Sequence, residues 1–159
     1  FPTDCPFEQR SRRPPLNPPN SILSYAYTLL AAEAEAFLHA IGLDPVIGFL
    51  HAPEDGRPSL ALDLIEPFRA PLADAMALDT ITHRTLKPDV HFERKQGGVF
   101  LNSEGRRKFH VAYERRMERL FTSEQHLTRT CLRAELHSQC RAVKKAFLEG
   151  EAYQPFIMN

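Results

Sequence analysis

The sequence predicts a mostly α-helical fold, a single helical domain with at most one small β-hairpin. Three observations carry that expectation. Apolar residues recur at helical spacing in several long windows. Only one glycine pair, Gly97-Gly98, sits between short β-like runs. Hydrophobic residues make up 43% of 159, enough for a core of ordinary size and far from the composition of a disordered chain.

The elements follow in chain order. Residues 1–19 hold six prolines and three arginines, Arg10, Arg12 and Arg13, and read as an extended linker or arm. Residues 20–159 read as the helical domain proper. Asn20 or Ser21 is expected to cap a first helix built on Ile22, Ala26, Leu29, Leu30, Phe37 and Ile41, with Gly42 at its left-handed end. Residues 43–58 are punctuated by Asp44-Pro45, Gly48, Pro53, Asp55-Gly56 and Pro58 and read as a turn-rich connection. Within it lies the apolar run Val46–Leu50, ending at His51. Ser59 to Met76 reads as helical, with Pro67 acceptable only if a helix starts near Asp63. Residues 91–101 are the expected hairpin, turning at Gly97-Gly98. Asn102 or Ser103 should cap a helix with stripe Phe109, Tyr113, Met117 and Leu120. A last helix is expected from about Ser123 to Phe147 on Leu132, Leu136, Cys140, Val143 and Phe147, stopping at Gly150.

Charge is balanced overall, 20 basic against 20 acidic residues, but unevenly placed. Residues 1–80 carry five Lys/Arg and eleven Asp/Glu, and residues 81–159 carry fifteen and nine. An acidic first half and a basic second half suit a site where metal and polyanion meet. No apolar run approaches the ~20 residues that span a bilayer, so no membrane partner is expected, and no secretory signal pattern opens the chain. Cys5, Cys131 and Cys140 are odd in number and form no CxxC pair. Nine residues apart on one helix, Cys131 and Cys140 would face opposite ways, so a reduced, cytoplasmic setting is expected. The first residue is Phe1 rather than methionine, which leads us to expect a processed or excised piece.

Chemistry concentrates around Gly48-Phe49-Leu50-His51 and Asp63-x-x-Glu66. Carboxylates three residues apart share a helix face. With one imidazole they suit a divalent ion, Mn²⁺ or Mg²⁺, imidazole tilting the preference toward Mn²⁺. The same residues also fit a capping-box variant and a buried, hydrogen-bonded histidine, and spacing does not separate the two. Two basic stripes are expected on neighbouring helices. One comprises Lys108, Arg115 and Arg119; the other comprises Arg129, Arg133, His137 and Lys144. They suit either phosphate contact or a solvated face balanced by Glu104, Glu114, Glu118 and Glu135. His39, His83, His91, His110 and His126 lack ligand spacing. The chain has no GxSxG, Walker or GxGxxG motif.

Several long segments match one known family in order. Arg12-Arg13-Pro14-Pro15-Leu16-Asn17-Pro18-Pro19-Asn20 through Tyr27 resembles the start of the helical domain of the CRISPR-associated spacer integrase, the first of the two universal Cas adaptation proteins. Gly42-Leu43-Asp44-Pro45 through His51, and Leu62-Asp63-Leu64-Ile65-Glu66-Pro67-Phe68-Arg69, are similar to two further family segments. So are Gly98–Leu101, Tyr113–Met117 and the closing Tyr153-Gln154-Pro155-Phe156.

The resemblance implies a C-terminal helical catalytic domain of a metal-dependent DNA endonuclease and integrase that inserts spacers into CRISPR arrays in antiviral defence. It implies His51 and Glu66 as ligands of Mn²⁺ or Mg²⁺, with Asp63 as the further acidic residue required for activity. Arg12, Arg13 and Arg69 would contact DNA, with Arg115, Arg119 and Arg133 from the basic stripes. A third ligand is implied in a glycine-flanked glutamate helix ahead of Arg12; Glu8 does not match it, so the metal site is expected to be incomplete and activity impaired. Implied partners are DNA, the second universal adaptation protein and, for the full-length protein, a second copy of itself. A nuclease for branched or single-stranded DNA, and a non-catalytic DNA-binding or partner-docking helical module, are the alternatives.

Overall fold

A computed structural model describes residues 1–3, 5–50, 56–123 and 127–158. The chain is mostly helical, as expected, and forms two compact units: Phe1–Tyr27 with Leu72–Met117, and Thr28–Pro71 with Glu118–Asn159. Among the described residues no helix is long and apolar enough to cross a membrane.

Helix α1 spans Pro18–Ala40 and contributes to both units. It begins two residues before Asn20, the earlier of the two expected caps. Pro18 and Pro19 occupy the first turn, where a missing N–H costs nothing, and Asn17 Oδ1 accepts the N–H of Asn20 at 3.0 Å. Its fully buried positions, Ile22, Ala26, Leu30, Ala34 and Leu38, recur every four residues, and Gly42 follows with φ +76.

In the first unit the proline-rich segment is docked rather than loose. Cys5 is buried, Asn20 Oδ1 accepts the Ser11 N–H at 2.9 Å, and Arg10 donates to Asn20 Oδ1 and Ser24 Oγ. Strands β1 (Phe92–Lys95) and β2 (Gly98–Leu101) form the expected antiparallel hairpin, with Phe92 opposite Leu101 and Lys95 opposite Gly98. Its turn falls one residue earlier than expected, at Gln96-Gly97. Both have positive φ, the conformation that matches the twist of the flanking strands. Helix α4 (Ser103–Met117) is capped by Asn102, whose Oδ1 accepts the Gly105 N–H at 2.9 Å, and buries Phe109, Tyr113 and Met117. Leu120, expected on that stripe, lies beyond the helix end and is exposed. The unit also contains α3 (Ala75–Thr82), which packs on α4.

In the second unit α2 (Ser59–Ile65) starts at Ser59, as expected, and not near Asp63. Pro67 offers no N–H to the Asp63 carbonyl, which instead accepts from Glu66. The chain tightens into a 3₁₀ turn over Glu66–Phe68, then widens into a π-turn over Arg69–Asp74 around Pro71. The last helix, α5, spans Leu132–Glu149 rather than starting near Ser123. The preceding residues form a second, two-residue ladder, β3 (Phe121–Thr122) against β4 (Arg129–Thr130), which ends one residue before the helix cap Cys131. Leu132, Leu136, Cys140 and Val143 are buried and Gly150 closes the helix with φ +70, but Phe147 is exposed. Helix α5 packs on α2. Cys5, Cys131 and Cys140 are buried thiols, and Cys131 lies outside the helix that was to set its direction. Burial pushes the Cys140 thiol up to about 12.

The tightest backbone approach in the first unit is at Gly105, where a Cβ would overlap the carbonyl oxygen of His91. Gly105→Ala should therefore destabilise the protein by about 1–3 kcal/mol, despite alanine's better helix propensity. Urea unfolding checks this; a variant as stable as the parent would show that α4 can shift freely.

Candidate active site

The site is built on α2 and the loop that folds back onto it. Asp63, 3% exposed, faces the loop, and its Oδ2 accepts the N–H of Phe49 at 2.5 Å and of Leu50 at 2.9 Å. Leu60 N–H donates to the Pro45 carbonyl at 2.8 Å, fixing the other end of the loop against the helix start. Gly48 makes the approach possible. A Cβ there would lie 2.7 Å from Asp63 Oδ2 and 2.8 Å from Ser59 Cβ, closer than real side chains come. The two donors stabilise a carboxylate that burial alone would penalise.

Glu66 follows Asp63 at the start of the 3₁₀ turn and is half-buried. Arg69 Nη1 lies 3.0 Å from its Oε1 and 2.7 Å from its Oε2, so one nitrogen steadies both carboxylate oxygens. Oxygen donors of this kind suit Mn²⁺ or Mg²⁺, and Glu66 is the carboxylate with solvent access. Asp63 differs in that its Oδ2 is already committed to two backbone donors. Among the described residues no three His, Cys, Asp or Glu side chains gather round one point. His51, the next residue after Leu50, lies outside the described residues.

The basic residues divide sharply. Arg12, Arg13, Arg115 and Arg119 are exposed. Arg119 is beyond the end of α4, so the Lys108/Arg115/Arg119 stripe does not continue along one helix. The second stripe is not a solvent face. Arg129 is on β4, not on the helix. Arg133 Nε and Nη2 bond the Glu33 carboxylate at 3.2 and 3.1 Å, and Nη1 bonds Glu118 at 2.5 Å. Lys144 Nζ donates to the Ile41 carbonyl at 2.6 Å, at the end of α1, and His137 packs against the Phe37 ring. Arg133 and Lys144 brace α5 against the last turns of α1, and His137 adds a ring contact there. Of the scattered histidines, His91 is a core residue whose Nδ1 accepts the Lys87 N–H at 2.8 Å; His126 lies outside the described residues.

Sequence reasoning missed the roles of Gly48 and of Gln139, Tyr153 and Phe156. The first was visible as a glycine inside a matched segment, and Tyr153 and Phe156 as part of the closing one; nothing in the sequence marks Gln139.

Comparison with known proteins places these residues in context. A family model, CRISPR associated protein Cas1, matches residues 1–115. A CRISPR-associated endonuclease Cas1 of Thermus thermophilus is 42% identical over 160 residues, covering 100% of this chain and 48% of the relative. Among solved structures, a Cas1 protein from Thermotoga maritima aligns with TM-score 0.78 at 28% identity, covering 96% of this chain and 45% of that one. A partial Cas6-RT-Cas1–Cas2 complex aligns with TM-score 0.81 at 27% identity, covering 99% and 46%. The chain spans about half the length of the relatives it matches.

The clamp makes a direct prediction. Asp63→Ala leaves two backbone donors without their acceptor and should cost about 2–4 kcal/mol, while Asp63→Asn, which keeps an oxygen, should cost less. In both, the Phe49 and Leu50 amide protons should move upfield in ¹H–¹⁵N spectra. Unmoved amides would mean that the loop holds without Asp63.

Proposed function

The chain belongs to the Cas1 family, and we propose that it is the helical catalytic portion of a metal-dependent DNA endonuclease and integrase, cytoplasmic, that inserts spacers into CRISPR arrays. The observation that carries this reading is the clamp of Asp63 on Phe49 and Leu50. It ties the chain just ahead of His51 to the helix that leads into Glu66.

In this reading His51 and Glu66 hold Mn²⁺ or Mg²⁺, and Asp63 orients the loop rather than ligating. Arg69 holds the Glu66 carboxylate in one rotamer while leaving it accessible. A divalent ion supplies Lewis-acid polarisation of the scissile phosphate and offsets charge on the leaving 3′-oxygen. The reaction is a transesterification: the 3′-hydroxyl of a captured DNA end forms a new P–O bond and gives its proton to solvent, while the old P–O3′ bond of the repeat breaks and the leaving 3′-oxygen takes up a proton from solvent. No covalent enzyme intermediate is needed. Arg12, Arg13, Arg115 and Arg119 neutralise DNA phosphates, a sequence-independent contribution. Arg133, spent on Glu33 and Glu118, does not take part. DNA, the second universal adaptation protein and a second copy of the protein are the partners.

The test is strand transfer into a supercoiled plasmid bearing a repeat, with Mn²⁺, by the complete gene product and the second adaptation protein. His51→Ala and Glu66→Ala should each lower the rate by at least ~10²-fold, more than loss of a residue that only supports a ligand. Full activity of Glu66→Ala would remove the ligand assignment. Binding separates the two kinds of arginine. Arg115→Glu with Arg119→Glu should weaken all DNA sequences alike and flatten the salt dependence, each lost contact reducing the slope by roughly 1. Arg133→Ala should leave that slope unchanged and lower the melting temperature instead.

A further inference from the structure

The closing segment Tyr153-Gln154-Pro155-Phe156 resembles a family segment, lies beyond the residues 1–115 that the family model matches, and holds no ligand candidate and no basic residue. Its anchoring shows what it does. Gln139, 4% exposed on α5, grips it through a single atom: Oε1 accepts the Tyr153 hydroxyl at 2.6 Å and the Phe156 N–H at 3.0 Å. From this grip the segment reaches two places. The Tyr153 ring meets the Phe49 ring at 5.9 Å between centroids, tilted 58°. The Phe156 ring, 2% exposed, stacks on Phe68 at 4.8 Å and 19°. Phe49 is the residue whose N–H bonds Asp63, two positions before His51, and Phe68 lies two positions after Glu66.

We propose that the Tyr153–Phe156 segment, pinned by Gln139, is a buttress behind the candidate site: Tyr153 acts through Phe49 on the Phe49–Leu50 stretch that Asp63 clamps, and Phe156 acts through Phe68 on the turn bearing Glu66. Gln139, Tyr153 and Phe156 are thus positioning residues of that site. The inference rests on the functional reading above for what the loop and the turn hold, but not for the contacts themselves.

Phe49 is 49% exposed and Leu50 69%, so these two residues have little buried apolar surface to fix them. Two hydrogen bonds to Asp63 hold their backbone, and the Tyr153 ring packs against the Phe49 side chain. That ring is rigid because its hydroxyl is pinned. Burial, and to a lesser degree the nearby Cys140, push the Tyr153 hydroxyl up to about 12, so it stays a donor to Gln139 throughout the neutral range. At the other contact Phe68 is fully buried, and the 3₁₀ turn that aims Glu66 cannot rotate without breaking the stack on Phe156. A metal site needs its donors held within fractions of an ångström, and packing of the residues behind the donors supplies that.

The experiment compares Tyr153→Phe, Tyr153→Ala and Gln139→Leu with the unsubstituted protein, all as complete gene product. Three quantities are read: hydrogen exchange at the Phe49 and Leu50 amides, the Mn²⁺ dissociation constant by electron paramagnetic resonance, and strand transfer at saturating Mn²⁺. Tyr153→Ala should speed exchange at both amides and weaken Mn²⁺ binding by about tenfold, the size expected for a lost hydrogen bond and ring contact together. Tyr153→Phe keeps the ring and should fall between. Saturating Mn²⁺ should restore most strand transfer, which a general loss of folding would not allow. Leu86→Ala, a cavity in the first unit, should lower stability without changing Mn²⁺ affinity. Unchanged exchange in Tyr153→Ala, or faster exchange with unchanged Mn²⁺ affinity, overturns the buttress while leaving the integrase reading intact. The expected exchange and Mn²⁺ results with no strand transfer by the unsubstituted protein would instead sink the integrase reading and keep the buttress. No Mn²⁺ binding by the unsubstituted protein would remove both.

Discussion

A buried carboxylate that accepts two backbone N–H groups from a distant loop is the interaction on which the site turns. Taking Asp63 out of water is costly, and the cost is offset only if its charge is met by good donors. Phe49 and Leu50 provide them, at 2.5 and 2.9 Å, and the absence of a side chain on Gly48 lets them come that close. The arrangement is reciprocal: with the loop away, Asp63 Oδ2 loses two backbone donors, and with the carboxylate removed, those two N–H groups lose their acceptor. Such reciprocity gives a short, half-exposed loop one position without a large apolar contact.

The second constraint is proline. Pro67 and Pro71 withhold two N–H groups from a continuing helix, and the chain answers with a tight turn and then a wide one. The consequence is placement. Glu66 sits where the helix narrows, within reach of Arg69, while Phe68 turns inward to stack on Phe156. A regular helix through these residues would carry an N–H at position 67 and a different set of neighbours for Glu66. Backbone irregularity here aims a side chain, as it does at many functional sites.

Much of this was legible in the sequence, and the failures have physical causes. The helices of α1, α4 and α5, and the glycine that ends α5, follow from apolar spacing and local capping chemistry. The start of α1 was misplaced because Pro18 and Pro19 read as breakers, although the first turn tolerates them. The start of α5 was misplaced because helical spacing runs on through residues that form a two-residue ladder instead. Helical spacing brings Asp63 and Glu66 to notice as a pair, yet the clamp depends on contact with residues 49 and 50, which spacing along a helix does not encode. Charge patterning failed for the same reason. Arg133 finds Glu33 and Lys144 finds the Ile41 carbonyl about a hundred positions back along the chain, so a stripe that looked available is consumed in bracing.

The two carboxylates differ in what is left to them: Asp63 Oδ2 is bonded to the loop, and Glu66, half-buried, is the one proposed to face the ion. An anomalous diffraction map from crystals of the complete gene product soaked in Mn²⁺ tests that division most directly. The account predicts a manganese peak within ligand distance of Glu66 and His51, with Asp63 Oδ2 still bonded to the Phe49 and Leu50 N–H groups. A peak coordinated by Asp63, with those two hydrogen bonds broken, would contradict it.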